Sequence, residues 1–222
     1  MASTKPRNNV FLELCTRNCR INKKRKFLIM SEMKVPVGIS NRHVHLTQED
    51  LEKLFGPGYK LTEKKKLSQP TQFAAEECVT LVGPKRSIEK VRILGPLRPQ
   101  TQIEISRTDM FTLGFKDIPL RNSGDLAGTP GIKIVAPNGN SIEPKEGCII
   151  AARHLHLTAE EAKNFGLKDK DVISIKAGGP KGVIFSNVLV RSGAMHAMDF
   201  HIDMDDANCA GLNNGDMVEI IK

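Results

Sequence analysis

Apolar positions along this chain fall in short runs between Gly, Pro and Asn turns, a pattern of many brief strands rather than long helices. The stretches 35–39 and 147–150 are β-prone, and each leads into a polar octet followed by a helix start signal. Thr47 with Asp50, and Thr158 with Glu161, fit a capping box, in which the Thr hydroxyl and the later acid satisfy free backbone donors. Leu51, Leu54 and Phe55 in the first case, and Ala162 and Phe165 in the second, then recur at helical spacing. Gly56 and Gly166 supply the stops. Further strands are expected at 79–82, 89–94, 101–106, 132–135, 172–176, 182–190 and 217–221, with tight turns at Pro137-Asn138-Gly139 and Asn213-Asn214-Gly215. This predicts a mainly β fold: two small β-barrels capped by short α-helices, in pseudo-duplicated halves.

The duplication is written in the octets. Residues 42–49 read Arg-His-Val-His-Leu-Thr-Gln-Glu and residues 153–160 read Arg-His-Leu-His-Leu-Thr-Ala-Glu. A weaker echo aligns 102–109 with 199–206 and sets Glu104 opposite His201. In a strand, residues i and i+2 project from one face, so His43 with His45, and His154 with His156, each present paired imidazoles. Such pairs hold first-row divalent ions at about 2.0–2.1 Å. Glu104 and His201 are the third ligands the repeat nominates, giving His43/His45/Glu104 and His154/His156/His201. Three protein ligands leave a position open for chemistry. A lone His-x-His is more often a surface or hydrogen-bonded pair; two copies absorb five of the six histidines. His196, the sixth, reads as a polar turn residue.

Composition narrows the picture. With no Trp and one Tyr, the core must be aliphatic. The formal charge of +8 suggests a polyanion partner, until it is located. Residues 1–34 carry nine Lys/Arg against two Glu, whereas the remaining 188 residues hold 24 basic and 23 acidic side chains. The body is nearly neutral, and a nucleic-acid partner is not expected. Five scattered cysteines with no CxxC pair indicate neither a disulfide framework nor a cysteine zinc knuckle, and fit a reducing cytoplasm. No apolar run is long enough to span a membrane, and residues 27–30 are too short for a signal core.

Arg98, between Pro96 and Pro99, is six residues before Glu104: a guanidinium aimed at a phosphate, or a plain ion pair. The turn-rich segment 121–131 lines a pocket or forms a solvent loop, and Lys64-Lys65-Lys66 is a solvated face unless a phosphorylated ligand meets it.

From residue 35 onward the chain resembles the PduL-type phosphate acyltransferases (phosphate propanoyltransferases). The likeness rests on Gly38 to Leu46, Leu97-Arg98 through Glu104-Ile105-Ser106, Ser123-Gly124-Asp125, Gly128-Thr129-Pro130-Gly131, Ala152 to His156, and His201-Ile202-Asp203 through Asn208. It implies transfer of a short acyl group, propanoyl or acetyl, between coenzyme A and inorganic phosphate. It also implies two zinc ions on the two ligand sets, Arg98 as the phosphate-handling catalytic residue, and coenzyme A contacts at Ser40, Lys65, Arg92, Leu94 and Asn208. The implied domains are a central barrel over 42–151 and a second barrel of 34–41 plus 152–222, the first strand completing the C-terminal one. A homo-oligomer in the cytoplasm is expected, or inside a bacterial microcompartment beside its shell. The segment 193–199 departs from the family pattern. The basic extension 1–33 is a flexible arm, a targeting helix using Val10, Leu14 and Ile21, or upstream of a start at Met30 or Met33. The rival reading is a cupin-like metal-dependent oxygenase or metal-binding barrel, in which Gly38, His43, His45, Glu49 and Gly56 form the motif.

Overall fold

Residues 33–221 are described by the computed structural model, so the expectations on the first 32 residues lie outside the described residues. In chain order the elements are β1 (Lys34–Ser40), β2 (His43–His45), α1 (Gln48–Phe55), β3 (Glu63–Lys66), β4 (Phe73–Val82), β5 (Ser87–Gly95), β6 (Gln102–Glu104), α2 (Arg107–Leu113), β7 (Leu120–Arg121) and β8 (Lys133–Val135). There follow β9 (Ser141–Ile142), β10 (Cys148–Ala151), β11 (His154–Leu157), α3 (Ala159–Phe165), β12 (Val172–Ala177), β13 (Val183–Ser192), β14 (Asp199–Asp203), α4 (Met204–Ala210) and β15 (Met217–Ile221). The chain is mainly β, as expected, and carries four short helices.

Six strands close a barrel in the order β1-β14-β11-β13-β12-β15. The turn before β15 returns to β1: Val37 N–H donates to Asp216 O at 2.9 Å, and Gly215 N–H to Val37 O at 2.8 Å. The other nine strands form a half-barrel along β7-β10-β6-β2-β5-β4-β8-β9, with β3 on β4. Its core is aliphatic, built on Val44, Leu46, Leu51, Ile93, Ile103 and Ile134. Full burial of each such side chain is worth about 1.5–3 kcal/mol. Both sheets belong to one compact unit beginning at Val35.

The two halves repeat the same wiring. In the half-barrel, β2 runs antiparallel to β6, with His43 opposite Glu104, and parallel to β5. In the barrel, β11 runs antiparallel to β14, with His154 opposite His201, and parallel to β13. The lead-in strands are exchanged. β1, which precedes β2, pairs with β14 (Gly38 opposite His201), while β10, which precedes β11, pairs with β6 (Ile149 opposite Glu104). Each half thus lends a strand to the other's ligand strand.

Helix starts follow the capping chemistry. The Thr47 hydroxyl accepts from Asp50 N–H, and Thr158 forms the full box with Glu161. Gly56 and Gly166 are the C-caps. Two helices were not foreseen: α2, boxed by Ser106 and Asp109, and α4, capped by Asp203. Each follows its third-ligand strand, so the repeated unit carries two helices rather than one. A matched ion pair ties them back, Arg42 to Asp109 at 2.8 Å and Arg153 to Asp206 at 2.7 Å.

Candidate active site

Each His-x-His strand buries both imidazoles: His43, His45, His154 and His156 are all below a tenth exposed. Within His43/His45/Glu104, and again within His154/His156/His201, one ligand-capable atom per residue lies within 4.8 Å of the others. The structure brings together both groups that the repeat nominates. The rings are turned nearly perpendicular, His43 to His45 at 89° and His154 to His156 at 87°.

Backbone contacts orient the rings alike. His43 Nδ1 is 2.8 Å from Asn41 O, and His154 Nδ1 is 2.8 Å from Ala152 O, so in each the Nδ1–H donates to a carbonyl and Nε2 is freed as a lone pair. His45 differs from both. Its Nδ1 is the one buried side-chain polar atom without a hydrogen-bond partner among the described residues. An unsatisfied buried nitrogen costs about 1–3 kcal/mol, which a cation would relieve.

The third ligands are braced by the residue two positions earlier on the same strand face. Gln102 Nε2 donates to Glu104 Oε1 at 2.5 Å, and Ser123 Oγ donates to the same oxygen at 3.0 Å. Asp199 Oδ2 is 3.1 Å from His201 Nε2 and also accepts from the Ser68 hydroxyl.

Electrostatics favour neutral imidazoles at His45, His154 and His156. Burial and the neighbouring His201 hold His154 down at about 4, and burial with His154 and His201 holds His156 at about 2. Burial and the adjacent His43 push His45 well below its ordinary value. Burial also opposes charge on Glu104, yet the His43 imidazole at 3.5 Å holds that carboxyl well below the usual range. His43 itself is pulled down by burial but lifted overall by Glu104. Uncharged nitrogen donors plus a carboxylate are a donor set for a borderline divalent ion such as zinc, and the orphaned His45 Nδ1 fits it.

The two groups line a single cleft of about 740 Å³, within the range of small-molecule sites. Arg98 lines it too. Its backbone N–H is fixed to Leu46 O at 2.9 Å and its Nη1 donates to Ser123 Oγ at 3.1 Å. Ser40, Lys65, Arg92 and Leu94 border the same cleft. Asn208 is exposed on α4 and is not among the lining residues; its carbonyl accepts from Lys181 Nζ.

Several residues escaped the sequence reading. Arg191, beside His156 in the β11–β13 register, brings a second guanidinium to the cleft. Ser123 came only within a turn-rich segment and the family likeness, Gln102 and Asp199 only as the paired first positions of the weaker echo, and Ser68 carried no motif. His196, read as a turn residue, has its Nδ1 3.0 Å from His156 Nδ1. Glu49, the carboxylate the cupin-like reading needs, is 78% exposed on α1, paired with Lys53 and outside both groups.

The family model of phosphate propanoyltransferases matches residues 36–213. This chain belongs to the phosphate propanoyltransferase family. It is thus of an acyltransferase family of enzymes. It is 54% identical over 196 residues to the phosphate propanoyltransferase of Thermotoga maritima, covering 88% of this chain and 92% of that protein. It is 49% identical to the Rhodobacter capsulatus phosphate propanoyltransferase, covering 85% and 86% of the two chains. Against the Salmonella typhimurium phosphate propanoyltransferase it is 47% identical over 83% and 87%. The matched span includes every member of both ligand groups together with Arg98.

Proposed function

We propose that the chain transfers a short acyl group, propanoyl or acetyl, reversibly between coenzyme A and inorganic phosphate. The supporting observation is the meeting of two three-ligand groups with Arg98 and Arg191 in one cleft. Zinc would be held by His43, His45 and Glu104 on one side and by His154, His156 and His201 on the other, and bound there it supplies Lewis acidity and affinity for a thiolate.

The chain's own part is to place phosphate and to answer charge. Arg98 is pre-aimed by its Leu46 and Ser123 contacts, so its fork can grip a phosphate oxygen pair without reorganising. Arg191 supplies a second positive charge in the same cleft. Phosphate attacks the thioester carbonyl, the C–S bond breaks, and acyl phosphate leaves with free thiol. Because phosphate is already anionic near neutral pH, no strong general base is required. Burial pushes the Cys148 thiol up to about 12, which removes it as a nucleophile. Ser40, Lys65, Arg92 and Leu94 border the cleft and serve the coenzyme A arm, and Asn208, outside the cleft lining on α4, is assigned to the same arm from the family resemblance alone.

The same reading carries a reducing setting, the cytoplasm or a microcompartment within it, in keeping with free Cys78, Cys148 and Cys209. Exposed Phe111, Leu120, Val172 and Ile184 favour a homo-oligomer. Among the described residues no helix is long and apolar enough to cross a membrane. The test is thiol release from propanoyl-CoA and acetyl-CoA with and without phosphate. Phosphate-dependent release is expected, and Arg98→Ala should lower turnover roughly 10²–10³-fold with metal content intact. Release indifferent to phosphate, or a fully active Arg98→Ala enzyme, defeats the assignment.

A further inference from the structure

The two third ligands are braced alike, but the braces come from different places. Gln102 and Ser123, which hold Glu104, both belong to the half-barrel, on β6 and in the segment between β7 and β8. Asp199, which holds His201, is met by Ser68, and Ser68 is in the six-residue loop 67–72 between β3 and β4. Those strands are also of the half-barrel. The ligand group of the barrel is therefore completed from the other half.

The loop is shaped for this contact. Leu67 N–H donates to Gln72 O at 3.0 Å and Gln72 N–H to Gln69 O at 3.2 Å, so it closes on itself. Gln69 is only 3% exposed. Its Nε2 donates to Ala197 O at 2.9 Å, and its Oε1 accepts from Ala197 N–H at 3.2 Å. A buried amide satisfied at both ends by one backbone residue has one orientation, and it holds that residue of the 193–198 segment in one place. Next to it, the Ser68 hydroxyl donates to Asp199 Oδ2, and the same oxygen is 3.1 Å from His201 Nε2. Asp199 is 5% exposed, and β1 packs so closely that a Cβ on Gly38 would meet both its oxygens at 2.6 Å. With water largely excluded, the carboxylate depends on the donors that reach it.

We propose that Ser68 and Gln69 are positioning residues for the barrel ligand group. Ser68 sets the His201 ring through Asp199, and Gln69 sets the 193–198 segment through Ala197. This rests on the metal-binding reading above. A carboxylate that orients a ligating imidazole governs metal affinity by about 10–100-fold. Here that carboxylate is steered from the hairpin that carries Lys64, Lys65 and Lys66. The halves are thus joined at the chemistry as well as by exchanged strands.

Two backgrounds isolate the two ligand sets for the test. Glu104→Gln leaves the barrel group intact, and His201→Gln leaves the half-barrel group intact. Ser68→Ala, Ser68→Thr and Gln69→Ala are added to each, and zinc release to a chelator is followed, with folding checked by circular dichroism. In Glu104→Gln, both alanine changes should speed release about 10-fold, and Ser68→Thr, which keeps the hydroxyl, should preserve the slow rate. In His201→Gln the same changes should leave release of the remaining ion as it was, because the group they position is already broken. Equal loosening in both backgrounds would mean that the loop only holds the halves together, and would overturn the proposal. So would unchanged release in Glu104→Gln, or a Ser68→Thr protein that releases zinc as fast as Ser68→Ala. If Gln69→Ala does not fold, the Ser68 variants still decide. A wild type that binds no zinc would instead overturn the metal reading, and this proposal with it.

Discussion

The half-barrel and the barrel share one plan and differ in their chemistry. Both set a His-x-His strand against a third-ligand strand in the same register, brace the third ligand from two residues back, and tie the next helix home with an arginine. Yet one site holds a buried carboxylate, an unpartnered imidazole nitrogen and Arg98, while the other is all imidazole, with His196 and Arg191 at hand. Duplication fixes where ligands stand. Single substitutions on that frame decide what each site can do.

The largest effect should come from removing one ligand from each half in turn. Glu104→Gln removes the one carboxylate of the half-barrel group and His201→Gln one imidazole of the other. Loss of outer partners alone costs metal affinity about 10–100-fold, and loss of a ligand costs no less. Each variant is expected to lose one zinc equivalent by elemental analysis and to lose turnover by at least about 100-fold. Retention of two tightly held ions in Glu104→Gln would show the half-barrel group is not a metal site.

Acid should destabilise chelator-treated protein through its low-titrating buried histidines. In the unfolded chain histidine titrates near 6.5. In the fold, His154 is held at about 4 and His156 at about 2 by burial and neighbouring imidazoles. Below about 6.5 the unfolded state therefore binds more protons. Stability rises with pH through this window, and falls as pH drops from about 6.5 toward 4. His154 alone accounts for roughly 3 kcal/mol of that loss. In the half-barrel, burial and His43 hold His45 well below its ordinary value, so it adds to the same loss, whereas the His43–Glu104 pair behaves oppositely. His43 is raised, so its contribution persists below 6.5, and Glu104 is depressed, so its contribution persists until pH falls through a value well under 4.5. Urea midpoints should drop between about pH 7.5 and pH 5, and His154→Phe should flatten the drop. An equal drop in His154→Phe would place the acid sensitivity elsewhere.

How far the sequence discloses this comparison depends on whether a feature is local. The octets, the Thr47 and Thr158 caps and the aliphatic strands are neighbours in sequence, and all were readable. The helices α2 and α4 had legible caps in Ser106-x-x-Asp109 and Asp203-x-x-Asp206, but the Met-Asp-Asp-Ala-Asn-Cys-Ala run of α4 has too few apolar positions to announce a helix. β3 is Glu-Lys-Lys-Lys and fully exposed: with one neighbour in the sheet it needs no apolar face, so it looks like a charge run. The exchange of β1 and β10 is a long-range pairing with no local mark. The same is true of Arg191 and His196, which reach the cleft only because β13 lies along β11.

The strand exchange itself can be probed where the halves differ by one Cβ. Gly38 and Ile149 hold equivalent places opposite the third ligands. Ile149 is accommodated, whereas a Cβ on Gly38 would lie 2.6 Å from both Asp199 carboxylate oxygens and 2.7 Å from His201 Cδ2. Gly38→Ala should cost about 1–3 kcal/mol by overpacking and should loosen the barrel metal preferentially. Ile149→Ala should cost about 2–5 kcal/mol as a cavity while leaving both ligand groups in register. Thermal midpoints with zinc titrations separate the two, and a Gly38→Ala protein with wild-type zinc binding would show that Asp199 has room to move.

The smallest effect concerns the matched arginines. Arg42 and Arg153 are 35% and 37% exposed, so their own screening is alike. Their partners are not: the Asp109 side chain is 5% exposed and that of Asp206 is 21%. Removing Arg42 leaves a carboxylate that water can hardly reach with only the Ser106 N–H to answer its charge, whereas removing Arg153 leaves one that water can still solvate. Arg153 has compensating ties, donating to Ser186 O at 3.2 Å and lying 5.2 Å from the Phe185 ring centroid. A cation over a ring at an exposed site adds only about 0.5–1 kcal/mol. Arg42→Ala should therefore cost about 1–2 kcal/mol and Arg153→Ala about 1 kcal/mol or less in urea unfolding, with both enzymes keeping two zinc ions. The reverse order would mean that ring stacking, not carboxylate burial, sets the strength of the repeated tie.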